Sequence, residues 1–75
     1  MQSVQRVDAR NLPCPMPILR LAVAMSSMQV GETVRLLATD EAVEADVTAW
    51  CGTTGHKLLQ WGWDGSTFWA DVQKS

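Results

Sequence analysis

Between Pro15 and Gln29 the apolar residues Ile18, Leu21, Ala22, Met25 and Met28 recur every three or four positions, the spacing of one helical face, so a helix is predicted from Pro15 to about Gln29. Before it, Gln5 to Ala9 is short and weakly strand-like, and Arg10 to Leu12 reads as a turn. Val30-Gly31 stops the helix, and TVRLLA (Thr33 to Ala38) is β-branched and apolar enough for a central strand. Helical spacing then returns. Val43, Val47, Trp50 and Cys51 share a face, Thr39 and Asp40 stand as caps, and Glu41 and Glu44 occupy the first turn, where acids suit the positive helix end. Gly52 or Gly55 ends this second helix. Two aromatic-rich runs, KLLQWGW and STFWADV, flank Asp64-Gly65, a strong short-range signal for a β-hairpin.

The predicted order is therefore β-α-β-α-β-β, which belongs to an α/β (α+β) two-layer arrangement: a four-stranded mixed sheet with both helices on one face. Each of the first two strand-helix units needs a crossover, expected to be right-handed, and the last two strands pair antiparallel. The other sheet face meets water or a partner. Trp61 and Trp63 share one face of their strand under ideal alternation, and Trp69 lies on the next strand. Two readings stay open for these rings. They fill a small core, or they form an exposed aromatic docking patch.

Length and charge limit the function classes. A chain of 75 residues makes one domain, residues 1–75, that buries only about 60% of its unfolded surface and has little room for a large catalytic pocket. Six Lys and Arg against eight Asp and Glu, without runs, give a net charge of -2 and no basic stripe for tight nucleic-acid binding. The N-terminus lacks the apolar core of a signal peptide. The most apolar run, Ile18 to Met25, is short and interrupted by Arg20, so no membrane span is expected. The expectation is a soluble, cytoplasmic monomer.

The candidate chemistry centres on Cys14, set between Pro13, Pro15 and Pro17. Proline is favoured at the first helical position, so Pro15 there makes Cys14 the cap residue, with Pro17 tolerated in the first turn. A thiol at the positive helix end is expected to ionise below the roughly 8.5 of a free cysteine, and the prolines hold it outward. The plainer reading is a cysteine that merely fills the cap site, a place better suited to Ser, Thr, Asp or Asn. Cys51 reads as an inert buried thiol and His56 as structural. No C-x-x-C pair is present. Cys14, Cys51 and His56 have no recognised metal-ligand spacing, and one histidine gives no protease constellation, so neither a metal nor another cofactor is called for.

Taken together, VDARNLPCPMPILR, the GETV before the second strand, Asp40, Cys51 followed by Gly55-His56, and the closing Asp64-Gly65 hairpin resemble the TusA/SirA family of sulfur carrier proteins from about Val4 to Val72. The resemblance implies a βαβαββ sandwich whose Cys14-Pro15-Met16-Pro17 cysteine carries a persulfide. A cysteine desulfurase or rhodanese-like sulfurtransferase would supply the sulfur, and a downstream acceptor protein would take it, in some members toward tRNA thiolation. Asp8 and Arg10 match the approach to the motif without a chemical step of their own. Asn11 stands where the family often has Gly, a replacement suited to left-handed backbone. Met16, Leu19 and the Trp-rich hairpin depart from the charged residues common there and alter the docking surface, which makes Arg10, Met16, Trp61 and Trp63 the candidate partner contacts. The alternative from another class is a non-catalytic interaction or regulatory module that binds through a Trp-rich open sheet face. A redox sensor would need Cys51 as the resolving thiol.

Overall fold

The computed structural model describes residues 4–75. Six elements follow in the order read from the pattern: β1 (Val4–Ala9), α1 (Met16–Ser26), β2 (Thr33–Ala38), α2 (Val43–Thr54), β3 (Lys57–Asp64) and β4 (Thr67–Gln73). They form a four-stranded sheet in the order β1-β2-β4-β3, with β1 parallel to β2 and β4 antiparallel to both β2 and β3. Among the described residues, no helix is long and apolar enough to cross a membrane.

Alternation on β2 decides which face is covered. Val34, Leu36 and Ala38 are buried, and their register partners Val72, Ala70 and Phe68 on β4 are buried with them. Leu21 and Met25 from α1 and Val43, Val47 and Cys51 from α2 join the same apolar cluster, so both helices lie on that face. The 3.6-residue period thus buries one stripe of each helix, as read from the sequence.

The ends of the elements depart from the pattern for physical reasons. Helix α1 stops at Ser26, short of Gln29, where the Lys74 ammonium reaches back and donates to the carbonyls of Met25 (2.8 Å) and Met28 (2.6 Å). A cation there complements the negative helix end. Helix α2 begins at Val43 with Ala42 as its cap, so the expected caps Thr39 and Asp40 lie one turn too early. Asp40 still serves the turn, accepting from the backbone N–H of Ala42 through Oδ2 (3.1 Å) and from that of Val43 through its carbonyl (3.2 Å). The acids of the first turn are Glu44 and Asp46, with Glu41 outside it. Gly55, not Gly52, closes α2, in the left-handed conformation (φ 84) that glycine adopts without penalty. In the hairpin, Asp64 pairs with Thr67 as a strand residue and the two-residue loop is Gly65-Ser66.

The tryptophans correct the picture of an aromatic open face. The register sets Trp61 opposite Ala70 and Trp63 opposite Phe68, which places both on the helix-covered side, at the edge strand. They are half-exposed there, at 47% and 43%. Trp63 packs its ring edgewise on Phe68 (5.2 Å between centroids) and donates its Nε1–H to Glu44 on α2 (2.7 Å). The open face carries Trp69, which lies over Gly62 under the Arg35 guanidinium (4.9 Å). A register shift between Leu58 and Gln60 leaves Leu59 unpaired, so Leu58 and Trp61 share a face that strict alternation denies them.

The centre of the open face is polar. Asp71, only 7% exposed, accepts two bonds from Arg35 (2.7 and 2.8 Å) and one from Gln60 (2.6 Å). Arg35 first and Gln60 after it hold this carboxyl below the usual range, against the opposing effect of burial. A depressed folded-state value means that the group adds stability above the ordinary carboxylate range and loses it as pH falls through the lower folded value. Arg35→Met leaves Asp71 buried with Gln60 alone. The variant is expected to unfold at lower urea than the native chain near neutral pH, with the gap narrowing by about pH 3, where the carboxyl is protonated more readily. Urea titrations at both pH values check this, and a gap of the same size at both contradicts the assignment.

Candidate functional site

Parallel strands β1 and β2 end at the same edge of the sheet, so the loops that follow them meet there. Asn11, at φ 64, turns the first loop through the left-handed region, the conformation that suits an asparagine standing where the resembled family often has glycine. Its backbone N–H donates to Thr39 Oγ1 (2.9 Å), which ties the β1–α1 loop to the residue after β2. Cys14 stands in this loop, exposed, with a free thiol, and the Cys14–Pro15 peptide is cis. Pro17 lies buried against the core, while Pro15 faces solvent.

Two expectations about Cys14 are corrected here. The cap of α1 is Pro15, and Cys14 sits one residue outside it. The first-turn donors are also scarce, because Met16 gives its N–H to the Pro13 carbonyl (2.8 Å) and Pro17 has none. In place of a helix end, the thiol faces a carboxylate: Sγ–H donates to Asp46 Oδ2 at 3.0 Å. That bond, then burial, then the negative charges of Asp46 and Asp40, push the Cys14 pKa up instead of down. The thiol is exposed and aimed, and Asp46 makes its proton harder to remove.

The other singled-out residues fall into place around it. Asp8 and Arg10 form a two-pronged ion pair (2.9 Å for each contact), and Arg10 holds the Asp8 carboxyl down at about 2. Both line a shallow groove with Asn11, Leu12, Arg20 and Thr39, beside the Cys14 loop. Met16 is half-buried, and Leu19 and Val23 follow at three- and four-residue steps with 51% and 71% exposure, an apolar stripe that starts beside the cysteine. Trp61 and Trp63 lie at the far edge strand. Cys51 is buried, and burial raises its pKa, so it is poorly placed to resolve an oxidised Cys14. His56 accepts from the Ser75 N–H through Nδ1 (3.1 Å) and packs against Trp50 (5.2 Å), a structural role.

The profile of the family described as "Sulfurtransferase TusA" matches residues 5–69. The chain belongs to the TusA family. A TusA-family relative named "Sulfur carrier protein TusA" in Allochromatium vinosum is 34% identical over 71 residues, covering 95% of this chain and 93% of its own. A protein of the same name in Pseudomonas putida is 32% identical over 68 residues, covering 91% and 85%. YrkI of Bacillus subtilis is 42% identical over 60 residues, 80% of each chain.

Asp46 is the site residue that the sequence reading passed over. One signal pointed to it: in a β-α-β-α order with parallel β1 and β2, the N-terminus of α2 lies beside the loop before α1, so an acid in the first turn of α2 meets that loop. Caps at Thr39 and Asp40 would put Glu41 and Glu44 in that turn; with the helix starting at Val43, the turn holds Glu44 and Asp46.

Proposed function

We propose that this TusA-family chain is a sulfur carrier that accepts sulfur as a persulfide on Cys14 and passes it to an acceptor protein. The observation that carries the reading is the exposed Cys14 thiol, framed by Pro13, Pro15 and Pro17 at the meeting of two loops. Loading is exchange chemistry: Cys14–SH and a donor R–S–SH give Cys14–S–SH and R–SH, with the sulfur–sulfur bond of the donor broken and a new one formed at Sγ. Unloading repeats the exchange at the acceptor thiol. Neither step changes the overall redox state.

The donor is a cysteine desulfurase or a rhodanese-like sulfurtransferase, and the acceptor is a protein thiol of a relay that ends in tRNA thiolation or another sulfur pathway. Arg10, Met16 and the stripe through Leu19 and Val23 border the cysteine and supply the docking surface, with Trp61 and Trp63 as a second, more distant contact. The open-face module is not favoured, because that face carries an Arg35–Asp71–Gln60 cluster, with the Arg35 guanidinium lying over its one tryptophan, Trp69.

Cyanide strips the outer sulfur of a persulfide as thiocyanate. Chain incubated with a cysteine desulfurase and cysteine, or with a rhodanese and thiosulfate, then freed of donor, is expected to release about one thiocyanate per chain. Background release with both donors would sink the reading.

A further inference from the structure

The thiol of Cys14 has a side-chain acceptor that comes from a remote part of the chain: Asp46 on α2, 32 positions away, at 3.0 Å. The charges acting on it are negative, Asp46 from α2 and Asp40 from the β2–α2 connection. Its own loop and the start of α1 carry no charged residue between Arg10 and Arg20. Arg10 is engaged by Asp8, and Arg20 lines the neighbouring groove. On β1 and β2, Arg6 and Arg35 lie opposite each other on the open sheet face, away from the helices. Among the described residues, no Lys or Arg pairs with Asp46 or Asp40.

Two roles are open to a carboxylate so placed. As a base it would take the thiol proton. Carboxyl groups are about 4.6 pK units more acidic than thiols, so such a transfer is disfavoured by roughly 4 × 10⁴-fold. Holding the proton on sulfur, by accepting the Sγ–H bond and opposing a second negative charge, is the role that its chemistry favours.

We infer that Asp46 is a positioning residue that keeps unloaded Cys14 a neutral, hydrogen-bonded thiol until a sulfur donor brings a positively charged group against Asp46. This rests on Cys14 being the sulfur-bearing residue. A cation beside Asp46 cancels the field at Sγ, the proton leaves to solvent, and the thiolate attacks the outer sulfur of the donor persulfide. The expelled donor thiolate takes up a proton, so charge balances. The unloaded carrier is slow toward stray electrophiles, and a donor without the matching cation loads it poorly.

Asp46→Asn keeps an oxygen acceptor and removes the charge. Its rate of Cys14 alkylation by iodoacetamide is expected to rise at lower pH than that of the native chain, making Cys14 the more reactive of the two near neutral pH. Superimposable pH profiles would overturn the inference. On the native chain, cationic aminoethyl methanethiosulfonate should outpace its anionic sulfonatoethyl analogue by more than it does on mercaptoethanol, and high salt should shrink that excess. No excess on the native chain overturns the donor half, whether or not the variant folds. Neither readout involves sulfur loading, so a chain that passes both yet never gains sulfur would refute the carrier reading and leave the hold of Asp46 intact.

Discussion

Cys14→Ser is expected to abolish sulfur loading while leaving the fold unchanged. An alcohol oxygen does not take part in persulfide exchange, which requires a sulfur nucleophile. The substitution is otherwise mild. Cys14 is exposed, belongs to no helix or strand, and serine can still donate to Asp46 across the 3.0 Å gap that Sγ–H now spans. Exposed substitutions of this kind shift stability by about 0.5 kcal/mol or less. Loss of thiocyanate release to background, with an unaltered urea midpoint, is the predicted pair of results. Cys51→Ala is the control: Cys51 is buried in the core, so its removal is expected to lower stability and leave loading near one sulfur per chain. Residual loading in Cys14→Ser that disappears in the double variant would move the sulfur to Cys51 and overturn the site assignment.

Phe68→Ala is expected to carry the largest loss of stability. Phe68 is the largest fully buried side chain, at 0% exposure, and pairs with Ala38 in the centre of the sheet. It also supports Trp63, whose ring meets it edgewise at 5.2 Å. Truncating such a ring costs about 3–5 kcal/mol, because the transfer energy is lost and the surroundings close only part of the cavity. A domain of this size holds only about 4–11 kcal/mol in total. The melting temperature should fall by roughly 12–40 °C. Trp63 should become more mobile, with its emission moved toward that of a solvated indole. A loss under about 1 kcal/mol would mean that Phe68 is not the keystone of the core.

What the sequence made legible was whatever depends on local periodicity. The helical spacing of Leu21 and Met25, and of Val43, Val47 and Cys51, marked the buried stripes, and the β-branched, apolar run TVRLLA marked the central strand. Asn11 in left-handed backbone was legible only through the family resemblance, in which it stands where glycine is common. Features set by tertiary contact were not. The unpaired Leu59 shifts the faces of β3, and nothing in KLLQWGW announces it. Nothing in STFWADV marks Asp71 as buried; the register sets it between Arg35 and Gln60. At the site, Cys14 and its proline frame were evident, but the state of the thiol was not. The helix end that should have lowered its pKa is depleted of donors by Pro17 and by the Met16–Pro13 bond. The group that governs the thiol is Asp46, brought to it by the fold.

Intact-protein mass spectrometry of the chain after incubation with a cysteine desulfurase and cysteine tests the carrier role most directly. The predicted result is a gain of one sulfur atom, reversed by dithiothreitol and mapped by peptide analysis to Cys14. Reversal also separates a persulfide from the nearly isobaric sulfinic acid, which dithiothreitol does not reduce. An unchanged mass after treatment with both the desulfurase and a rhodanese donor, or a gain mapped away from Cys14, would contradict it.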